Sequence, residues 1–255
     1  MRVVALHEDV LVATSRVYQT TCTLVRSGSE GFVIDSPVFP DELEVLPSLV
    51  EQTGFPVSGL LTTHGDWDHL LSRLTFEDAA LGCAETTAAR LTGNPGEAAR
   101  GLRGFDAEHY VERPKPLALG QVQVMPVPGY LAVGEQELQL HPTEGHTEDG
   151  MAIWVPWARV LVVGDYLSPV EIPMLSERGS RDAYLATLRR LEPLVEQADH
   201  VVPGHGAVLD SVRALAILRE DVAYLEALPG GRPPLARSDE AQRAIHAKNV
   251  ERVAA

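Results

Sequence analysis

The sequence predicts an α+β domain in which two β-sheets are each covered by helices. Three observations lead there. Two runs of short apolar strands, at residues 3–35 and 121–164, are each followed by segments with leucines at helical spacing. Turn residues such as "SGSEG" and "TGNPG" punctuate the chain between them. At 255 residues and 45% hydrophobic content, the chain is long and apolar enough to bury a large core.

Taken in order, "RVVAL", "VLVATS", "TCTLVR" and "GFVID" read as an antiparallel start to a sheet. Residues 40–53 place Leu43, Leu46, Leu49 and Val50 on one stripe and stop at Gly54, which predicts the first helix. "VSGLLTT" is then a buried strand, and His69 onward, "HLLSRLTFEDA", reads as another helix. Residues 84–104 read as short helices broken by "TGNPG". The alternating stretch 121–141 and "MAIWVPWARVLVVGD" supply the second run of strands. Helices at 181–197 and 210–228 follow, with an extra strand at "HVVPGHG" between them and a last polar helix at 236–254. "LPGGRPP" is the one linker-like stretch. Residues 1–228 are therefore expected to form the domain, with 229–255 a helical extension packed on it.

The formal charge of −15, with lysine only at 115 and 248, argues against a nucleic-acid surface. No apolar run reaches the roughly 18 residues of a membrane helix, and the start shows no signal-peptide pattern, so the expectation is a cytoplasmic protein without a membrane partner. Cys22 and Cys83 are too few and too far apart for a disulfide framework or thiolate metal site.

The chemistry concentrates in "TTHGDWDHLL", residues 62–71. In an extended chain, residues two apart share a side, so His64, Asp66 and Asp68 would converge as the strand runs out, with His69 next. Imidazole nitrogen and carboxylate oxygen are the usual ligands of zinc and related ions. The segment alone leaves two readings open, a metal site or a helix capped by Asp66 or Asp68. Three later fragments favour metal: "PTEGHTEDG" with His146, "VLVVGDYLS" with Asp165 and "DHVVPGHG" with His205. Each puts a metal-competent side chain just past an apolar strand, beside a glycine.

The ordered set "HGDWDH", "GHT", "GD" and "PGHG" resembles the metallo-β-lactamase superfamily, over nearly the whole chain up to His205. The resemblance implies a four-layer αβ/βα sandwich with a dinuclear metal site along one edge. It further implies that His64, Asp66 and His146 hold one ion, that Asp68, His69 and His205 hold the other, and that Asp165 bridges them. Asp66 departs from the pattern, since that position usually carries histidine. Zinc remains the first expectation; the harder, anionic oxygen of Asp66 leaves two alternatives, a preference for iron or manganese, or a first site weakened until one ion is retained.

Two such dications imply a metal-bound hydroxide that attacks an ester, thioester or lactone carbonyl of a small-molecule substrate, with Asp68 orienting it and carrying a proton. No G-x-S-x-G elbow or nucleotide-binding glycine motif competes. Tyr166, Leu167, Ile172, Pro173, Met174, Trp67 and residues 128–134 are candidates for an apolar wall, or simply sheet cover. His141 is a candidate hydrogen-bond partner of a ligand, while His7, His109 and His200 read as ordinary surface or core groups; His246 and Asn249, one turn apart on the final helix, are expected to be solvent-exposed, the alternative being that they fold back over the site. Two other readings stay open: a di-iron oxidoreductase resembling flavodiiron proteins, which carry a carboxylate where Asp66 stands, and a metal-binding protein without catalysis.

Overall fold

A computed structural model describes residues 1–254. Seven strands form the first sheet in chain order: β1 (Arg2–His7), β2 (Val10–Thr14), β3 (Thr21–Ser27), β4 (Glu30–Asp35), β5 (Gly59–Leu61), β6 (Leu81–Ala84) and β7 (Val122–Met125). The first four pair antiparallel, and β4 to β7 pair parallel, because helical crossovers intervene. Those crossovers carry α1 (Pro40–Thr53), α2 (Glu85–Gly93) and α3 (Glu97–His109).

The second sheet holds β8 (Gly129–Val133), β9 (Gln136–Pro142), β10 (Met151–Val155), β11 (Val160–Gly164) and β12 (His200–Pro203), in the order β12-β11-β10-β9-β8. Helices α4 (Arg181–Gln197) and α5 (Ser211–Ala227) cover its outer face, with α6 (Glu240–Ala254) beyond. The alternation of side chains along each strand builds the layers. On β2, Val10 and Val12 enter the core between the sheets, where they meet Met151, Ile153 and Val162, while Leu11 and Ala13 pack outward with Leu43 and Leu46 of α1. On β11, Val160 and Val162 face inward while Leu161 and Val163 meet Leu188 and Leu191 of α4. This is the expected four-layer αβ/βα sandwich.

Two expectations are corrected. The stretch after His69 is not a helix but two 3₁₀ turns, Trp67–His69 and Leu71–Leu74. Ser36 intercepts the helical ladder: its hydroxyl donates to the Asp68 carbonyl at 2.7 Å and accepts from Leu71 N–H at 2.9 Å. The strand at residues 122–125 belongs to the first sheet, pairing parallel with β6, and not to the second run.

Among the described residues, no helix is long and apolar enough to cross a membrane. Asn249, expected to be an ordinary exposed group, is fully buried, because its amide binds the backbone of residues 173–175. His246 keeps to Tyr224, its Nδ1 3.0 Å from the phenol oxygen.

Candidate metal centre

Strands β11 and β12 run parallel, and β10 runs against β11, so the ends of β11 and β12 and the loop entering β10 share one edge of the second sheet. A hydrogen bond from Met151 N–H to the Thr63 carbonyl, 2.7 Å, ties the end of β5 to that edge. The four segments singled out in the sequence thereby meet. His64, Asp66, His146 and Asp165 form one group and Asp68, His69 and His205 a second; within each, the ligand atoms lie within 4.8 Å of one another.

Asp165 faces both groups with different oxygens. Its Oδ2 lies 3.6 Å from His64 Nε2 and 3.3 Å from His146 Nε2, and its Oδ1 lies 3.1 Å from His69 Nε2 and 3.3 Å from His205 Nε2. Asp66 Oδ2 completes the first group, 3.3 Å from His146 Nε2 and 3.5 Å from His64 Nε2. Asp68 Oδ2 completes the second, 3.5 Å from His205 Nε2 and 3.8 Å from His69 Nε2. Glycine makes this approach possible: a Cβ on Gly204 would stand 2.2 Å from Asp165 Oδ1.

The other face of every imidazole is occupied. Nδ1 of His146 meets the Met174 carbonyl at 2.9 Å, that of His205 the Tyr18 carbonyl at 3.1 Å, and that of His69 the Asp35 carboxylate at 3.0 Å. Carbonyls and carboxylates only accept, so Nδ1 carries the hydrogen and Nε2 keeps the lone pair a metal needs. His64 Nδ1 lies 3.1 Å from the Thr63 hydroxyl, which itself donates to Asp35 at 2.9 Å.

These residues fit a pair of dications. His64 Nε2, His69 Nε2 and Asp165 Oδ1 are buried without a hydrogen-bond partner, although His69 and Asp165 approach to 3.1 Å. Unpaired buried polar atoms are costly, and several aimed at a shared space are what a cation satisfies. Electrostatics agree. Burial opposes charge on His146, but the bond to Asp66 and the charges of Asp165 and Asp66 raise it to about 9. His205 is likewise opposed by burial and lifted by Asp165 and Glu171 to about 10. Burial pushes the Asp165 carboxyl up, yet the facing histidines hold it well below the usual carboxylate range.

Several residues at the site were not among the candidate ligands read from the sequence. Asp35 accepts from Thr63 N–H at 2.8 Å as well as from the Thr63 hydroxyl and His69, and it holds a positive φ of 59°. Arg90 binds Asp66 and Asp149. Glu171 lines a recess with His146, Asp165 and Met174. Tyr18 meets Trp67 and Phe105 edge-on beside His205.

The expected apolar wall is only partly assembled. Tyr166, Leu167 and Ile172 are core residues under α4 and α5, and residues 129–133 form β8, the edge strand farthest from β12. Ile172 also borders the recess beside His146, as do Pro173 and Met174, and Trp67 is partly buried against Phe105, their rings 4.9 Å apart. His141 stays half-buried on β9, with its Nε2 unpartnered.

Comparison with known proteins gives a consistent picture. The sequence model described as "Metallo-beta-lactamase superfamily" matches residues 15–205. A curated relative, "Beta-lactamase-like protein 2 homolog" of Caenorhabditis elegans, is 23% identical over 196 residues; the match takes in 76% of this chain but only 58% of that relative's length. Among solved structures, a metallo-beta-lactamase family protein from Thermus thermophilus, TTHA1429, superposes with a TM-score of 0.68 at 19% identity, covering 98% of this chain and 96% of that one. TTHA1623, solved in a di-iron-bound form, gives 0.63 at 24% identity, covering 80% and 96%. Both structures speak to the fold.

Proposed function

This chain belongs to the metallo-β-lactamase superfamily, and on that premise we propose that it is a metal-dependent hydrolase acting on a small ester, thioester or lactone. The observation that carries the reading is Asp165, whose two oxygens face two separate ligand groups about an unpaired, buried space. Two dications bound there supply Lewis-acid polarisation of a carbonyl and a water acidic enough to ionise near neutral pH.

The chain's own residues do the rest. His64, Asp66 and His146 hold one side, Asp68, His69 and His205 the other, and the Nδ1 contacts fix each ring so that Nε2 points inward. Asp68, whose side chain is 11% exposed, commits Oδ2 to the second group, which leaves its other carboxylate oxygen to take a proton from the attacking water and return it to the leaving group. Tyr18, Trp67 and Phe105 offer an apolar wall beside His205 for the substrate's non-reacting part. A net charge of −15 disfavours polynucleotides as substrates.

Zinc is the first assignment; iron or manganese is the alternative, which the Asp66 oxygen suits and which the di-iron form of one structural relative parallels. The test is an ester, thioester and lactone panel with metal-loaded protein, its chelated form and Asp165→Ala. Turnover that needs both the metal and Asp165 supports the reading. A loaded protein with no hydrolysis but a visible di-iron spectrum and consumption of oxygen would replace it by the oxidoreductase reading. A loaded protein inert in both assays would leave metal binding without catalysis.

A further inference from the structure

Asp66 is a carboxylate in a group whose other non-shared ligands, His64 and His146, are imidazoles, and the fold surrounds it with hydrogen-bonding partners. Arg90, on α2, has a side chain only 10% exposed and donates through Nη2 to Asp66 Oδ1 at 2.6 Å and to Glu97 Oε1 at 2.8 Å. Its Nη1 donates to Asp149 Oδ1 at 2.9 Å. Asp149 is fully buried, and its other oxygen accepts the Gly65 N–H at 2.9 Å. The guanidinium thus holds the Gly65–Asp66 turn through the side chain of Asp66 and, by way of Asp149, through the backbone before it.

Imidazole offers one lone pair on a rigid neutral ring. A free carboxylate offers two oxygens, carries a full charge and turns about its Cβ–Cγ bond, so it can chelate through both oxygens or swing away. A charge-assisted bond at 2.6 Å removes that freedom. It occupies Oδ1, fixes the carboxylate plane and draws off part of the charge. Only Oδ2 then faces the first group, 3.3 Å from His146 Nε2 and 3.5 Å from His64 Nε2.

We propose that Arg90 is a positioning residue for metal: it converts Asp66 into a single-oxygen ligand of reduced charge, so that the pair takes the place of one imidazole. The inference rests on the dinuclear reading above. It requires that the influence of Arg90 on the first ion act through Asp66 and vanish when Asp66 is itself an imidazole.

The experiment is a zinc titration of the metal-stripped protein against a chromophoric chelator, in a two-by-two set: parent, Arg90→Met, Asp66→His and the double variant. The expected result is two zinc ions in the parent and an affinity for one of them about tenfold or more weaker in Arg90→Met. In the Asp66→His background the same Arg90→Met change should alter that affinity by less than about threefold. Arg90→Lys keeps a cation beside buried Asp149 without the planar fork, and it too should weaken one ion in the parent background. If Arg90→Met does not fold, Arg90→Lys alone in the two backgrounds carries the same comparison. An equal loss in both backgrounds, or no loss in the parent background, overturns the inference while leaving the dinuclear site intact. A parent that takes up no zinc, manganese or iron overturns both.

Discussion

The peptide group between Met174 and Leu175 is held at both ends: its carbonyl accepts from His146 Nδ1 at 2.9 Å, and its N–H donates to Asn249 Oδ1 at 2.9 Å. Asn249 Nδ2 also donates to the Pro173 carbonyl at 2.7 Å. The C-terminal helix α6 therefore sets the backbone that sets a candidate ligand. Gln242 Oε1, accepting Ile172 N–H at 2.8 Å, and Arg237, donating to the Glu171 carbonyl at 2.8 Å, extend the same grip.

Asn249→Leu leaves a buried carbonyl and N–H without partners and should lower stability by about 2–4 kcal/mol. Denaturant unfolding of the metal-free protein measures it, and a chelator titration should show weaker metal binding as His146 loses its fixed orientation. His246→Ala, one turn away and bonded to Tyr224 alone among the described residues, should lose no more than about 1 kcal/mol.

Asp35→Asn keeps one acceptor oxygen and turns the other into an NH2 donor, so Thr63 N–H on one side and the Thr63 hydroxyl with His69 Nδ1 on the other can no longer all be accepted. Metal affinity should fall about 10- to 100-fold, with the strongest effect on the ion held by His69. Competition with a chelator of known affinity reads the change, and far-ultraviolet circular dichroism should show the sheets retained.

Gly204→Ala brings a methyl group to within 2.2 Å of Asp165 Oδ1, so that carboxylate has to move. The expected outcome is loss of at least one ion from the stoichiometry measured by elemental analysis. Full occupancy would mean that the carboxylate is free to shift without consequence.

The pH dependence follows from the raised histidines. His146 and His205 sit at about 9 and about 10, above the ~6.5 of an unfolded chain. Stability from groups raised in this way is fully present below the unfolded value and is lost as pH rises through the folded values. Metal-free protein should therefore unfold at progressively lower temperature from about pH 6.5 to pH 10. On the acid side, Asp66 and Asp165 are held well below their usual range, so the stability they supply is present above about pH 4 and is lost as pH falls. Metal replaces the protons facing these carboxylates, so loaded protein should lack the alkaline decline, and ion uptake should release protons across the same window. Thermal scans with and without chelator provide the comparison.

The layers were legible in the sequence because strand alternation is local: Val10 and Val12 against Leu11 and Ala13 already assign two faces. The candidate ligands were legible because they cluster in the short loops that follow strands, at residues 64–69, 146, 165 and 205. Asp35 carried the same signal, closing "GFVID" as Asp165 closes "VLVVGD", and a search for acids at strand ends would have found it. Arg90 and Asp149 carried none. They reach Asp66 and Gly65 from 24 and 84 residues away, through contacts that no local period encodes. The turns after His69 were hidden for a related reason: Ser36, more than thirty positions upstream, takes the hydrogen bonds that a helix would have used.

The central claim is that two ions share Asp165. The most direct measurement is anomalous X-ray scattering at the zinc, iron and manganese edges from crystals of the purified protein. Two peaks are expected, one among His64, Asp66 and His146 and one among Asp68, His69 and His205, with a different Asp165 oxygen facing each. Peaks elsewhere in the molecule, or none after incubation with all three metals, would contradict it.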